Sequence, residues 1–306
     1  MGQELATISP QERIIQKVIQ EFASPCTQRE LAIRLRLYFE WHEMNFAGYP
    51  ISRDTVLRYR QHLLERDLAP RTIEAYMQAV RAMVRIALRN GEISQEIAES
   101  IQSVPTVTLT GRRTGRWLTK DEVLALLDQP DTSTIMGQRD FTVIALMVGC
   151  GMRRAEVIGL TLGHIQELQG HLCVVDFIGK GRKQATVVIP QGRVADTIRR
   201  YTQTLLGRPG ATTADPLAPR MRSGGRICGF AKPQLAQLIV DKYAGPLGIA
   251  VHPHDLRRTF AGLAEEASIP VQEISRAMRH ESVDTTVRYL APLNAMKNPV
   301  SNRIGL

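Results

Sequence analysis

Residues 139–160 read RDFTVIALMVGCGMRRAEVIGL and join a continuous apolar run to a glycine-rich break. We interpret the run as a buried helix, because apolar side chains cover all of its faces. Gly149–Gly151 breaks the pattern, and Arg153 follows at the predicted start of the next helix. Backbone N–H groups and the dipole at a helix start favour an anion, so Arg153 is a candidate anion-binding residue. Glu156, one turn further on, can pair with a guanidinium, although a surface Arg–Glu pair would give the same spacing.

The chain around this stretch predicts a mainly α domain with one small β-sheet. Residues 118–127, LTKDEVLALL, place Thr119 and Glu122 at capping-box spacing ahead of an apolar run. The β-branched runs 171–177 and 184–190 are joined by IGKGRK, which is typical of a β-hairpin. The rest of the domain is predicted to be mostly helices, at 192–206, about 232–244, about 255–267, 270–279 and about 283–290.

The first third of the chain predicts helices and no strands. Apolar residues recur at helical spacing in residues 28–44, 52–67, 69–91 and 94–102. Ser52 is a predicted N-cap, and the Asn90-Gly91 pair is a predicted helix stop. We therefore expect a helical domain over residues 1–103, with its first helix beginning near residue 10.

Residues 104–117, VPTVTLTGRRTGRW, show no helical period and contain proline, threonine, glycine and arginine. We interpret them as a basic interdomain linker, followed by a second domain over residues 118–306. Its positive charge predicts that it runs beside DNA, with Arg112, Arg113 and Arg116 as candidate contacts. An ordinary solvated loop is the alternative.

Length and composition favour a soluble protein of two domains. A chain of 306 residues is long for one hydrophobic core, and 43% hydrophobic with 23% charged residues is ordinary for globular proteins. We see no apolar run of membrane-spanning length and no signal peptide at the start. The four cysteines are far apart and lack CxxC pairs, which argues against a zinc module or a disulfide framework. We therefore expect a cytoplasmic, nucleoid-associated protein with reduced thiols.

The net charge of +9 favours a polyanion as partner, although many soluble enzymes are simply basic. Basic residues concentrate in segments predicted to be turns, including GKGRK with Lys180 and Lys183. Aromatic residues make up only 5% of the chain, which disfavours single-strand binding through base stacking. Composition therefore favours a nucleic acid, DNA or RNA, as the partner and disfavours a single strand.

Two further motifs carry side chains suited to phosphoryl chemistry. HPHDLRRTF, residues 252–260, places His254 and Arg257 on one helix face, where one can handle a proton and the other can bind two oxygens. His252 and Arg258 are set aside as neighbours. RAMRHESVDTTVRYLA, residues 276–291, contains His280 and Tyr289. Taken alone, Tyr289 would be a packing residue of an amphipathic helix.

The ordered set Arg…Lys…His-x-x-Arg…His…Tyr resembles the tyrosine recombinase (phage-type integrase) family over residues 118–291. Residues 24–103 resemble the family's core-binding domain. The resemblance implies a mainly α chain, with an N-terminal helical core-binding (SAM-like) domain and a C-terminal mixed α/β catalytic domain with a small sheet. Two positions depart from the usual motifs: Arg279 replaces a frequent glycine, and Arg258 replaces a frequent histidine.

The resemblance also implies a role for each matching residue. Arg153 and Arg257 resemble the arginines that clamp the phosphate, and Glu156 the acidic residue that supports the first of them. Lys180 resembles the hairpin lysine that protonates the leaving oxygen. The remaining matches are His254 as the histidine that manages the nucleophile's proton, His280 as the second histidine, and Tyr289 as the nucleophile.

The function implied is site-specific DNA recombination through a 3′-phosphotyrosyl intermediate, without metal, cofactor or ATP. The implied assembly is a homotetramer on two duplex core sites, with a monomer as the alternative state off DNA. A tail at 290–306 is expected to pack on a neighbouring subunit, and the departures from the usual motifs lean towards a mobile element. A non-catalytic DNA-binding regulator and a type IB topoisomerase-like strand cleaver are the alternative functions.

Overall fold

The computed structural model describes residues 9–107, 116–178, 184–222 and 225–297, with the side chains of residues 292 and 294–297 outside the description. The chain divides into two compact units, Met1–Arg113 and Thr114–Leu306. Each unit has a hydrophobic core of its own. In the described part of the chain, no helix has both the length and the apolar character needed to cross a membrane.

The first unit consists of helices in its described residues. They are α1 (Pro10–Gln20), α2 (Pro25–Phe46), α3 (Arg53–Glu65), α4 (Pro70–Arg89) and α5 (Gln95–Gln102). Serine side chains at Ser9, Ser24, Ser52 and Ser94 each accept a hydrogen bond from the backbone N–H three residues later. These caps satisfy N–H groups that the first turn leaves without partners, and so they set where the helices begin.

The core of the first unit is built mainly from one face of α2 and one face of α4. Leu35 and Tyr38 of α2 and Met77 of α4 are fully buried members of the same apolar cluster. Val104 and Val107, which fall within the predicted linker, belong to that cluster as well. The prediction of helices without strands is confirmed for the described residues of this unit.

The second unit mixes helices and short strands. Its helices are α6 (Lys120–Asp128), α7 (Ile135–Gly149), α8 (Arg154–Ile158), α9 (Arg193–Leu206), α10 (Gln234–Ala244), α11 (Pro253–Glu266), α12 (Val271–Ala277) and α13 (Val283–Lys297). Its strands are β1 (Ile165–Leu168), β2 (His171–Ile178), β3 (Gln184–Val188), β4 (Pro219–Met221) and β5 (Ile227–Phe230). The predicted mainly α fold class is confirmed, as is the capping box of Thr119 and Glu122 at the start of α6.

The strands form two antiparallel sheets rather than the single sheet predicted. One sheet has the order β1-β2-β3, with Val174 of β2 opposite Ile165 of β1 and Val187 of β3. The other pairs β4 with β5. The hairpin of β2 and β3 agrees with its sequence pattern. Strands β1, β4 and β5 are too short to give a recognisable strand pattern in the sequence.

Helix α7 lies at the centre of the second unit. Its residues from Phe141 to Val148 are at most 4% exposed, which matches the uniformly apolar sequence. Arg139 and Asp140, in its first half, are buried as well. Asp140 accepts hydrogen bonds from Arg139 at 2.6 and 2.8 Å and from the Tyr243 hydroxyl at 2.9 Å. This network ties α7 to α10 and satisfies a carboxylate that would otherwise be costly to bury.

The last helix differs from the prediction. We expected a helix over about 283–290 and a tail over 290–306, but α13 continues through Pro292 to Lys297. Leu290 and Leu293 are 2% and 8% exposed, so packing on both sides of the proline offsets the hydrogen bond that proline cannot donate. The rest of the predicted tail lies outside the described residues.

Gly151, in the turn between α7 and α8, has a φ of +58°, and an added Cβ would lie 2.7 Å from Cδ1 of Phe260. Gly151→Ala should therefore lower the free energy of unfolding by about 2–4 kcal/mol, through left-handed strain and overpacking together. Urea denaturation measures this loss.

Gly170→Ala is the matched control, because Gly170 has a φ of +79° but open space around an added Cβ. It should cost only about 1 kcal/mol. Equal losses in the two variants would contradict a close contact between Gly151 and Phe260.

Candidate active site

The candidate site lies in the second unit, around the first turns of α11. The α7–α8 turn, the α12–α13 connection and α13 all contact this helix through hydrogen bonds or apolar packing. Ala261 of α11, Ile274 of α12 and Leu290 of α13 belong to one buried cluster that holds the three helices together. Thr259 of α11 also accepts a hydrogen bond of 3.0 Å from the backbone N–H of Leu118.

Tyr289 and His254 are in direct contact. The Tyr289 hydroxyl lies 2.7 Å from Nε2 of His254, and the two rings meet edge to face. His254 is an exposed residue. Lost hydration on its packed side, followed by the charges of Arg258 and Arg257, lowers the pKa of His254. A neutral imidazole can accept the phenolic proton, so the pair has the geometry of a nucleophile and its base.

His280 stands on another side of the same tyrosine ring. Its ring meets that of Tyr289 edge to face at 5.2 Å, and its Nδ1 lies 2.7 Å from the Thr286 hydroxyl. Burial, and then the positive charges of Arg257 and Arg153, lower the pKa of His280 to about 4. The ring is therefore neutral at pH 7, and Thr286 fixes its orientation.

Arg153 is held by Glu156 at the start of α8. The Glu156 carboxylate accepts a hydrogen bond of 2.9 Å from the Arg153 backbone N–H and another of 2.7 Å from the Arg153 guanidinium. Burial would raise the pKa of Glu156, but the hydrogen bonds from Arg153 and the charges of Arg279 and Arg153 outweigh it, so the pKa lies below its ordinary value. The pairing predicted from the spacing is therefore present, and it is largely buried on the glutamate side.

Arg257 is 1% exposed. Its two terminal nitrogens donate to the carbonyl oxygens of Gly151 and Met278, and its Nε has no protein partner. Burial, and then the nearby charge of Arg153, lower the pKa of Arg257 to about 9, which still leaves the guanidinium protonated at neutral pH. The structure thus gathers Arg153, His254, Arg257, His280 and Tyr289 in one place.

Three residues of the site were missed or set aside in the sequence. The guanidinium of Arg258, a residue set aside as a neighbour, lies 5.5 Å from the centre of the Tyr289 ring. Arg279 donates to Glu156 at 3.0 Å, and Thr286 contacts His280. The departures at Arg258 and Arg279 from the usual motifs were the available signals, whereas Thr286 gave none.

The remaining predicted residues are Lys180, Lys183, Arg112, Arg113 and Arg116. Lys180, Lys183, Arg112 and Arg113 lie outside the described residues. Arg116 is described, and its guanidinium donates to Glu122 at 2.6 Å. Its side chain is 39% exposed, so a contact with DNA stays a prediction for this residue. His252 caps α11 and lies 3.2 Å from Gln237.

Comparison with known proteins gives a consistent match. A model of the phage integrase family matches residues 116–296. The tyrosine recombinase XerC of Pseudomonas putida is 31% identical over 254 residues, covering 82% of this chain and 77% of that protein. The tyrosine recombinase slr0733 of Synechocystis is 26% identical over 296 residues, covering 91% of this chain and 90% of that protein.

Solved structures share the fold. The XerH site-specific recombinase in a post-cleavage complex with palindromic difH substrate has a TM-score of 0.70 at 18% identity, covering 94% of this chain and 84% of that one. The Tn1549 transposon integrase in complex with transposon right end DNA has a TM-score of 0.65 at 15% identity, covering 94% of this chain and 98% of that one.

The low pKa of His280 gives a direct test of the site's electrostatics. In the folded protein, NMR titration should show its imidazole staying neutral until about pH 4, against an ordinary value of 6.5 that the urea-unfolded chain should show. In Arg153→Ala the pKa should rise, because a positive charge is removed. Titration of folded His280 near its unfolded value would contradict the arrangement.

The same shift has a consequence for stability. A histidine whose pKa is depressed by folding favours the folded state while it is neutral, so its contribution is complete above pH 6.5 and is lost as the pH falls towards 4.

Proposed function

This chain belongs to the phage integrase family, the tyrosine recombinases, and from that premise we propose that it is a site-specific DNA recombinase that cleaves and rejoins duplex DNA through a covalent bond to Tyr289. The observation that carries this proposal is the 2.7 Å contact between the Tyr289 hydroxyl and Nε2 of His254. Two arginines, Arg153 and Arg257, lie in the same site.

The first step is attack of the tyrosine oxygen on a DNA phosphorus. The phenolic proton passes to Nε2 of His254 while the bond from the Tyr289 oxygen to phosphorus forms. The bond from phosphorus to the 5′-oxygen breaks, which leaves a 3′-phosphotyrosyl link and a free 5′ end. Neutral His254 is required for this transfer, so cleavage weakens as the pH falls through its lowered pKa.

The arginines neutralise the charge that develops on the non-bridging phosphate oxygens. Arg257 is preorganised, because its hydrogen bonds to two carbonyl groups hold its guanidinium in one orientation, and its buried Nε–H has no partner in the described protein. A preorganised donor of this kind is worth about 3–4 kcal/mol in acyl transfer, and we expect a similar contribution here. His280, neutral and oriented by Thr286, can donate a further hydrogen bond to the phosphate.

The leaving 5′-oxygen needs a proton, and we assign that role to Lys180 from the resemblance to the family. Rejoining reverses the steps: a 5′-hydroxyl from the second duplex attacks the phosphotyrosyl bond, and the tyrosine recovers its proton. Because the covalent link preserves the energy of the phosphodiester, the cycle requires no ATP. We propose that the cationic side chains supply the charge stabilisation that a metal ion supplies in other nucleases.

The proposed partner is double-stranded DNA with a specific core site. The net charge of +9 supports a polyanion, and the XerH and Tn1549 recombinases of similar fold were solved in complex with DNA. Exchange between two sites requires one nucleophile for each strand cut, so we propose a homotetramer on two duplexes. We further propose that residues 1–103 form a core-binding domain that contacts DNA together with the second unit, and that the protein acts in the cytoplasm for a mobile element.

A regulator that only binds DNA would not need Tyr289 and His254 in hydrogen-bond contact. A type IB topoisomerase would share the cleavage chemistry but would not exchange strands between two sites. Covalent trapping on a nicked substrate separates the regulator from the two enzymes. Product analysis with two differently labelled duplexes separates the recombinase from the topoisomerase.

Tyr289→Phe should bind DNA like the parent protein and form no covalent adduct, because only the hydroxyl is removed. Target sites are first selected from a random duplex library, and adducts on a nicked site are then resolved by denaturing electrophoresis in the presence of EDTA. Tyr201→Phe is the matched control, since the Tyr201 hydroxyl that it removes donates a hydrogen bond of 2.8 Å to the Leu217 carbonyl within the core. An adduct in Tyr289→Phe, or a requirement of the parent protein for Mg²⁺, would count against the proposal.

Lys180→Ala should slow cleavage of ordinary DNA by about 10²- to 10⁴-fold, the usual contribution of a general acid. The defect should largely disappear when sulfur replaces the leaving 5′-oxygen, because a thiolate leaves without a proton. Single-turnover rates on the two substrates measure this difference. Lys183→Ala, the control, should affect both substrates alike; the same behaviour in Lys180→Ala would reduce that residue to a phosphate contact.

A further inference from the structure

Arg279 occupies an unusual position for a large side chain. It lies between α12 and α13, immediately before His280, and its φ of +55° is in the left-handed region. Glycine is favoured in this conformation, and other residues adopt it at a cost. Some interaction of the arginine side chain must therefore offset the backbone strain.

The side chain of Arg279 turns back into the site and is only 15% exposed. Its guanidinium donates a hydrogen bond of 3.0 Å to Oε2 of Glu156 and one of 2.8 Å to the carbonyl oxygen of Ala277. It also lies 5.1 Å from the centre of the Phe177 ring on β2. Arg279 thus connects the loop that carries His280 with α8 and with the strand that precedes Lys180 in the chain.

Glu156 is shared between two arginines. The Arg153 guanidinium donates to Oε1 and the Arg153 backbone N–H donates to Oε2, and the Arg279 guanidinium donates to Oε2 as well. The Glu156 side chain is 6% exposed, so it has little water to satisfy it. In addition, the carbonyl oxygen of Arg279 lies 3.5 Å from Nη2 of Arg153, at the limit of a hydrogen bond.

The net charge of these three side chains depends on Arg279. Arg153 paired with Glu156 alone forms an ion pair with no net charge, and such a pair attracts a phosphate only weakly. Adding Arg279 leaves the group of three with one net positive charge. Because two arginines share the carboxylate, the charge of Arg153, whose side chain is 26% exposed, is only partly neutralised and can attract a phosphate.

We propose that Arg279 is a positioning residue for the phosphate site, which acts through Glu156 to orient Arg153 and to restore the positive charge that Glu156 cancels. The inference rests on the proposed function, because it assigns Arg153 to the phosphate. Arg279 itself does not touch the reacting atoms in this assignment. Its own positive charge also contributes, after burial, Arg257, Arg153 and His254, to the low pKa of His280.

The test compares strand cleavage on two substrates. One has the ordinary phosphodiester at the selected site, and the other has a methylphosphonate, in which a methyl group replaces one charged oxygen. Arg279→Gly is the main variant, because glycine suits the left-handed backbone and so preserves the fold. Arg279→Lys retains the charge without the planar guanidinium, and Arg276→Ala removes one exposed arginine from α12 as a control matched in charge.

On the phosphodiester, Arg279→Gly should bind DNA within about twofold of the parent and cleave it about 10- to 100-fold more slowly. Arg279→Lys should recover part of the rate, and Arg276→Ala should match the parent. On the methylphosphonate the defect of Arg279→Gly should shrink to less than about threefold, because the neutral linkage needs less cationic stabilisation. Arg153→Ala should show the same relief.

Cleavage by Arg279→Gly at the parent rate would overturn the inference, and so would equal defects on both linkages in a variant with the parent's melting temperature. If Arg279→Gly melts early, Arg279→Lys is compared on the two linkages by the same criteria. The proposed function is judged separately, by whether the parent protein forms a Tyr289-dependent adduct in the presence of EDTA.

Discussion

The buried guanidinium of Arg257 donates hydrogen bonds to the carbonyl oxygens of Gly151 and Met278, and so joins two backbone segments that are far apart in the chain. One segment leads into Arg153 and α8, and the other leads into His280 and α13. Arg257 itself projects from α11, the helix that carries His254. A charged group in so dry a position is expensive unless it is hydrogen-bonded. The backbone carbonyls meet that cost, and in doing so they fix the relative positions of the residues that contact Tyr289.

The excess of positive charge around Tyr289 explains the ionisation of the site. Burial is the main cause of the lowered pKa of His254 and of His280, and the charges of Arg257 and Arg153 add to it at both histidines. Arg258 contributes further at His254, and Arg279 at His280. Glu156 partly offsets them, which leaves a group that is short of negative charge. An anion entering the site would relieve this repulsion, so the charge distribution of the site suits a phosphate. A neutral His254 is also a better acceptor for the tyrosine proton than a charged one.

Strong local patterns were enough to predict much of this structure. The apolar run of α7, the capping box at Thr119 and the β2–β3 hairpin all follow from sequence periodicity and turn residues. Strand β1 could not be predicted, because its residues are mostly exposed and it forms by pairing with the edge of β2. The continuation of α13 past Pro292 depends on tertiary packing of Leu290 and Leu293. Among the site residues, resemblance supplied the chain order, but the contacts of Arg258 and Arg279 arise from a fold that brings distant segments together.

Two left-handed backbone positions lie beside the acceptors of Arg257, and the chain fills them differently. At Gly151, which provides one acceptor itself, a side chain would collide with Phe260, so glycine is needed for space as well as for conformation. At Arg279, next to the second acceptor Met278, the same backbone conformation carries a large charged side chain. The backbone conformation is of the same kind at the two positions, but only the arginine adopts it at a cost, and its side chain donates to the buried carboxylate of Glu156. On the proposed assignment of Arg153 to a phosphate, Arg279 supplies the second cation for Glu156, which gives a physical reason for an arginine at a position where glycine would adopt the backbone conformation more easily.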